Sequence, residues 1–395
     1  MSTKIKAALI GFGTVGEGFY DILKETNYPY LTVENIVVNS RNKKRSLAPE
    51  HFSYQVDEVL ENPNIDLIIE AITDAEESFR ILEKALKSGK NVITASKKMV
   101  ANYLPQIIEL QKETGKNVRY EAAVCGSIPI LQNLNSYLSF DPISSIEGVF
   151  NGTANFILTQ VENGQSFEDA LSLAQEKGLA EADPSSDIDG FDTRFKLTIL
   201  NAHAFGNLSK PENTLCFGIR GLKDCDIKFG SENGWKIRLQ AFGAASGERY
   251  VLPTFVSFND FAYSLTGEDN FVEVDTKSAG LQTFKGKGAG ASPTGLAVFG
   301  DVEQFRKQQY YNYPELKEHT KNQRATIKLY VRASDKKIES LFDHLYAIEK
   351  SESAYFITGE IALHKISQLT SAADFVAKLP EKATVARHIA ETCLV

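Results

Sequence analysis

The chain has 395 residues, 43% of them apolar and 24% charged, with a formal net charge of −8 at pH 7. That length exceeds what one compact core usually holds, so two or three domains are expected. The acidic balance argues against general electrostatic capture by nucleic acid or an anionic membrane surface, although a local basic patch could still hold a phosphate.

No run of about 18 uninterrupted apolar residues is present, which excludes an ordinary membrane span. The opening MSTKIKAALIGFG has the charge-then-apolar order of a secretion signal, but glycines break the run at once and no small-residue cleavage site follows. Cys125, Cys216, Cys225 and Cys393 show no CxxC spacing, so neither a zinc site nor a disulfide framework is expected. These readings favour a cytoplasmic protein with a small-molecule substrate and no nucleic-acid or membrane partner.

Short β-branched runs at 5–10, 36–39, 67–72, 92–95 and 118–122 predict strands of a parallel sheet buried on both faces. Helical patterns lie between them, such as 76–88, which stops at Gly89 as a helix with a C-terminal glycine should. This alternation predicts an α/β fold with a Rossmann nucleotide-binding domain over 1–125. From about Pro129 the pattern changes. Helical segments at 130–138, 167–177 and 191–205 mix with strand-like ones at 146–151, 251–256 and 271–275, predicting an α+β second domain over 126–285. A glycine-rich stretch from Gly286 then leads into a helix. Beyond a polar linker at 317–323, residues 325–395 read as a small α+β module with a strand at 325–331, a helix at 336–349 and a strand at 354–361.

GFGTVG at 11–16 fits G-x-G-x-x-G directly after a strand and at the start of a helix. Gly11, Gly13 and Gly16 permit a tight turn, close approach to a pyrophosphate and close helix–strand packing. Thr14 and Val15 then open a helix whose free N–H groups face the phosphates. At the end of the second strand, where an NAD site usually carries an acid, stand Asn39, Ser40 and Arg41, followed by Lys43, Lys44 and Arg45. Arg41 could hold a 2′-phosphate by paired hydrogen bonds, so NADP(H) is favoured over NAD(H); the alternative is a merely solvated basic loop.

The segment 178–196 gathers Glu181, Asp183, Asp187, Asp189 and Asp192 ahead of Arg194 and Lys196. If a helix begins near Gly190, Asp192 and Lys196 share a face at a spacing of four, either as a surface ion pair or as part of a site. A hydride-accepting carbonyl needs a proton donor as its alkoxide develops. No histidine is well placed for this: His203 reads as a core residue and most of the others fall late in the chain. A lysine is then the natural donor, and carboxylates are natural ligands for a substrate ammonium group.

With GFGTVG, TASKK at 94–98, YEAAVCGSIPIL at 120–131 with GVFNGTANFILT at 148–159, AEADPSSDIDGFDTRFK at 180–196 and GKGAGASPT at 286–294, the chain resembles homoserine dehydrogenases over about 4–310. The resemblance implies NAD(P)H-dependent reduction of L-aspartate 4-semialdehyde to L-homoserine, by a homodimer or homotetramer. It implies that 126–285 carries catalysis and dimerisation, and that 286–320 completes the Rossmann domain, with Gly288 closing back onto the cofactor. Lys97 and Lys196 would flank the aldehyde, one donating the proton and the other orienting it, with Lys97 also near the cofactor. Glu181, Asp187 and Asp192 would bind the substrate amino group, and Asn151, Gly152 and Thr153 would lie where cofactor meets substrate. A monovalent cation, sodium or potassium, would sit on the Glu121 carboxylate and the carbonyls of Val124, Gly126 and Ile128; a plain tight turn is the alternative.

Three positions depart from the family pattern: Ser96 replaces a usual Asn, Ile72-Thr73-Asp74 replaces a glycine-containing turn, and Leu179 stands where Tyr is common. Cys125 lacks a neighbouring His and reads as a packing residue rather than a thiol nucleophile. The tail has the length of a regulatory amino-acid-binding domain, but Ala333-Ser334-Asp335 replaces the glycine-led turn expected there, so regulation and an added oligomerisation element both stay open. Two rival functions remain at this point. One is a dehydrogenase of another amino-acid-derived carbonyl, and the other a catalytically inactive NADP-binding sensor.

Overall fold

The computed structural model describes residues 4–317 and 325–381; His319, His388, Cys393 and most of the expected linker lie outside them. The chain forms two compact units, the second beginning at Asp141 and resuming at Lys317 after Gly286–Leu316 has returned to the first.

The first unit runs β1 (Ile5–Ile10), α1 (Thr14–Thr26), β2 (Leu31–Val37), β3 (Phe52–Ser53), α2 (Val56–Glu61), β4 (Leu67–Glu70), α3 (Ala75–Lys87), β5 (Asn91–Thr94), α4 (Lys97–Thr114), β6 (Val118–Arg119) and α5 (Ile130–Asn135). Its six strands are all parallel, in the order β3-β2-β1-β4-β5-β6. This is the doubly wound order, and the crevice for a ligand lies where it reverses, at the ends of β1 and β4. β4 is buried at every residue because helices cover both faces. α3 starts on an Asp74 cap that accepts the Glu77 amide, and α4 stops at Gly115 in the left-handed region.

The second unit adds β7 (Ile143–Val149), α6 (Gly152–Glu162), α7 (Phe167–Glu176), α8 (Ser185–Ile188), α9 (Phe191–Phe205), β8 (Leu215–Cys216), α10 (Asp224–Glu232), β9 (Lys236–Ala244), β10 (Arg249–Val256), β11 (Asp269–Thr276) and β12 (Gly280–Lys287). The chain then returns as α11 (Ala291–Arg306). α11 packs on α1 at two glycines: a Cβ on Gly18 would lie 2.3 Å from the Ala291 carbonyl oxygen, and one on Gly295 would lie 2.5 Å from the Phe19 nitrogen. Ala297, Val298 and Val302 thereby complete the core around Leu9, Phe19 and Ile69.

The tail contributes β13 (Thr326–Ala333), β14 (His344–Lys350), β15 (Tyr355–Ala362) and β16 (Phe375–Lys378). These strands extend the second unit's sheet, giving the order β12-β11-β7-β9-β10-β16-β13-β15-β14, with β8 beside β10. Leu252 of β10 shares one core with Leu329, Ile357 and Val376. The helix expected at 336–349 is not formed. Lys336–Leu341 make a short 3-10 turn, and His344–Lys350 pair as an antiparallel edge strand on β15. Ile338, Leu341, Leu345 and Ile348 fall at helical spacing, but pairing with β15 overrides that local preference.

Candidate active site

Each unit carries its own part of the predicted machinery. In the first, β1 delivers the chain into the glycine loop. Gly11 has φ 97°, and a Cβ there would lie 2.4 Å from the Ala71 carbonyl oxygen; a Cβ on Gly16 would lie 2.1 Å from the Gly11 oxygen. Around Gly13 there is open space, as needed where a pyrophosphate approaches the backbone. Gly13 caps α1, so Thr14, Val15 and Gly16 place their N–H groups at its electropositive end.

A cleft of about 240 Å³ opens beside this loop, lined by Gly11, Gly13, Asn39, Lys43, Arg45 and Ile72, among others. Arg41 is not among its lining residues; its guanidinium lies over the Tyr54 ring, 4.6 Å from the centroid. Arg45 is fixed by donating to the carbonyls of Ser40 and Lys43 at 2.8 and 3.0 Å. Arg41 and Arg45 therefore stand differently at the end of β2, Arg41 on the Tyr54 ring and Arg45 at the cleft wall.

Lys97 is the first residue of α4, half-buried behind the buried N-cap Ser96. Gly288 is buried where the returning chain meets the turn at 125–127. The Ser127 amide donates to the Lys287 carbonyl at 3.0 Å, and a Cβ on Gly126 would collide with the Lys287 and Gly288 backbone. Cys125 and Gly126 are both left-handed, with φ 53° and 54°.

Glu121 is 6% exposed, and its two carboxylate oxygens accept the amides of Leu131 and Gln132 at 2.9 and 2.7 Å. Burial, with the Asp301 carboxylate nearby, pushes its pKa up to about 8. Arg119 pairs with Asp301 at 2.8 Å, so this buried trio carries one uncompensated negative charge whenever Glu121 is ionised. Each carboxylate oxygen keeps a lone pair beyond its amide. The donor set therefore fits a hard monovalent cation, except that the Ile128 carbonyl already accepts the Ile130 amide at 2.8 Å. Among the described residues no group of three or more His, Cys, Asp or Glu could hold a metal ion, so any cation here would lean on backbone carbonyls.

In the second unit the constellation is tight. α9 starts after left-handed Gly190, which brings Asp192 and Lys196 onto one face. Lys196 is 5% exposed, pairs with Asp192, its Nζ 2.8 Å from Oδ2, and donates to the Phe150 carbonyl at 2.6 Å. The pair is thus buried, not a surface ornament. Asn151, the cap of α6, accepts the Ala154 amide while its Nδ2 donates to Asp187 Oδ1 at 2.7 Å and Asp192 Oδ2 at 2.9 Å. The resemblance puts Asn151 where cofactor meets substrate, but its bridging of Asp187 and Asp192 has no local signal beyond an Asn poised to cap a helix.

Gly152 packs on the Glu268 backbone, and Thr153 donates to the Leu179 carbonyl at 2.8 Å. The other acids of the cluster separate. Asp189 is forked by Arg220 at 2.7 Å through both oxygens, Asp183 accepts from Ser185, and Glu181 is exposed with no side-chain bond to the Lys196 cluster. His203 and Cys125 are buried, as expected of core residues.

Two family models match the chain: the homoserine dehydrogenase NAD-binding domain over 11–121 and homoserine dehydrogenase over 129–302. A homoserine dehydrogenase of Synechocystis sp. is 35% identical over 313 residues, covering 75% of this chain and 72% of its own length. That of Bacillus subtilis is 34% identical with the same coverage. The chain belongs to the homoserine dehydrogenase family. Its activity is accordingly NAD(P)-linked oxidoreduction at a CH–OH group. The homoserine dehydrogenase of Thiobacillus denitrificans superimposes with a TM-score of 0.82 at 28% identity, over 96% of this chain and 98% of that one, tail included. A hyperthermophilic archaeal homoserine dehydrogenase solved with NADPH matches 79% of this chain and all of its own at a TM-score of 0.69 and 27% identity.

Proposed function

We propose that this homoserine dehydrogenase reduces L-aspartate 4-semialdehyde to L-homoserine with NADPH preferred over NADH, using Lys97 and Lys196 as its catalytic lysines. The observation that carries the reading is the setting of Lys196. Its ammonium has three N–H groups; one donates to the Phe150 carbonyl, and its charge is paired with Asp192 at 2.8 Å. Among the described residues it makes no further hydrogen bond, and these two contacts fix where the ammonium sits. A carbonyl oxygen placed beside it receives a hydrogen bond that strengthens as hydride arrives at carbon and charge builds on oxygen. The proton then passes from Nζ to the alkoxide, leaving a neutral amine to be reprotonated from solvent.

Asp187 and Asp192, joined through Asn151, suit a substrate ammonium group, to which exposed Glu181 would add a further carboxylate; Gly152 and Thr153 border that place. The bound nicotinamide supplies the hydride. Gly11, Gly13, Thr14, Val15 and Gly16 would cradle its pyrophosphate, with Lys97 and Gly288 nearby. The preference for NADPH is supported by basic Lys43 and Arg45 in the cleft and by the lack of an acid at the end of β2. A sodium or potassium ion would be held by Glu121 with the carbonyls of Val124, Gly126 and Ile128, and would offset the buried charge beside Asp301. Exposed Phe258 and Leu281 support assembly as a homodimer or homotetramer. The net charge of −8 supports a cytoplasmic enzyme without nucleic-acid or membrane partners. The tail, sharing the second unit's sheet, serves the catalytic unit as structure.

Homoserine oxidation followed at alkaline pH, with NADP⁺ and NAD⁺ in parallel, tests the reading. Substrate-dependent reduction by the wild type, faster with NADP⁺, is expected. A protein that binds NADPH but turns over neither homoserine nor the semialdehyde would sink it in favour of a sensor.

A further inference from the structure

Glu70 is a buried carboxylate that the reaction does not use, and its contacts run between the glycine loop and Lys97. It ends β4, 1% exposed, directly beside Thr94 at the end of β5 in the parallel register. Burial raises its pKa against hydrogen bonds that pull it down. Its Oε1 accepts the Ile72 amide at 2.6 Å, and its Oε2 accepts the hydroxyls of Ser78, at 2.5 Å, and Thr94.

A hydroxyl has a single proton, so once Thr94 has given its proton to Glu70 its oxygen meets everything else as an acceptor. What it accepts is the Ser96 amide, at 3.0 Å. Ser96 caps α4, its carbonyl takes the first helical bond from Val100 at 2.9 Å, and Lys97 follows as the first helical residue. In the other direction, Ala71 between Glu70 and Ile72 presents the carbonyl that leaves no room for a Cβ on Gly11.

We propose that Glu70 and Thr94 form a positioning relay, fixing the start of α4, and with it Lys97, against the turn that backs the cofactor loop. The proposal rests on the reading that Lys97 serves the reaction. A buried chain of hydrogen bonds with every proton assigned has one low-energy arrangement, because an orphaned member would bear its desolvation alone. Small displacements of a catalytic group are expensive: about 1 Å is enough for roughly a hundredfold in rate.

Thr94→Val removes the hydroxyl and keeps the branched shape, leaving the Glu70–Ile72 bond intact. The expected result is a kcat at least about tenfold lower with NADPH affinity within about threefold of wild type. Amide hydrogen exchange in the peptide from 94 to 100 should quicken, and Thr94→Ser should restore both exchange and kcat. Glu70→Ala should weaken NADPH binding as well as lower kcat. A folded Thr94→Val with wild-type kcat and exchange overturns the relay, as does a Thr94→Ser variant no better than the valine. Should Thr94→Val not fold, Thr94→Ala is judged by the same criteria. Exchange reads the relay whether or not the enzyme turns over, so an inactive wild type would count against the reaction and not against the relay.

Discussion

Lys196–Asp192 and Arg332–Asp226 are both ion pairs withdrawn from solvent in the same unit, at 2.8 and 3.0 Å, yet their partners are distributed differently. Asp226 Oδ1 accepts from Tyr330 and Arg332 Nε, while its Oδ2 accepts from Arg332 Nη2 and the Lys223 amide. Arg332 adds a bond to the Gly221 carbonyl at 2.6 Å. The carboxylate is saturated, and the pair rivets β13 to the start of α10. Lys196 has instead, among the described residues, one hydrogen bond beside its ion pair, and Asn151 steadies the Asp192 carboxylate. A closed pair holds a fold together, whereas Lys196 offers N–H groups for which no acceptor is found among the described residues.

Five substitutions sharpen or break that contrast. The largest effect is expected from Arg332→Met, which strands Asp226 without its cation and should cost about 3–5 kcal/mol of unfolding free energy. Urea titration measures it; a loss under about 1 kcal/mol would mean that the rivet is not one. Next comes Lys196→Ala, for which homoserine oxidation should fall at least a hundredfold, about 2.7 kcal/mol at the transition state. Its loss of stability should be smaller than that of Arg332→Met, and equal losses would erase the distinction between the pairs.

Asn151→Ala removes the bridge between Asp187 and Asp192 together with a helix cap. We expect KM for homoserine to rise about tenfold, with about 1 kcal/mol of stability lost to the cap. Kinetics at saturating NADP⁺ separate the two; an unchanged KM would detach the two acids from the substrate. The smallest effects concern the cofactor. Arg45→Ala should cut the preference for NADP⁺ over NAD⁺ by about tenfold and Arg41→Ala by less than about twofold, and the reverse order would return the phosphate to Arg41.

The Rossmann half was legible because its signals are local. A β-branched run, a glycine loop and a capped helix each declare themselves within a few residues, and the strand Ile5–Ile10 falls where the pattern put it. The helix Phe191–Phe205 was legible for the same reason, and with it the Asp192–Lys196 face. What the sequence hid depends on partners far along the chain. Asp301 meets the Glu121 amide from 180 residues away, Gly18 matters only because α11 returns to it, and β14 is a strand only because β15 lies beside it. Glu181, in the same acid-rich segment, is exposed, and only the resemblance singles it out from Asp183 and Asp189.

β16, the last strand of the described chain, lies in the interior of its sheet, parallel to β10 on one side and antiparallel to β13 on the other. During synthesis, therefore, the stretch of β10 around Thr254, beyond the part that β8 pairs, stays an open edge until residue 378 has been made, long after the lysines and carboxylates have emerged. Such an edge invites pairing with other nascent chains. A message broken late, or a ribosome stalled in the final stretch, would yield a product with every reactive group present and its sheet unfinished, fit for a protease rather than for metabolism.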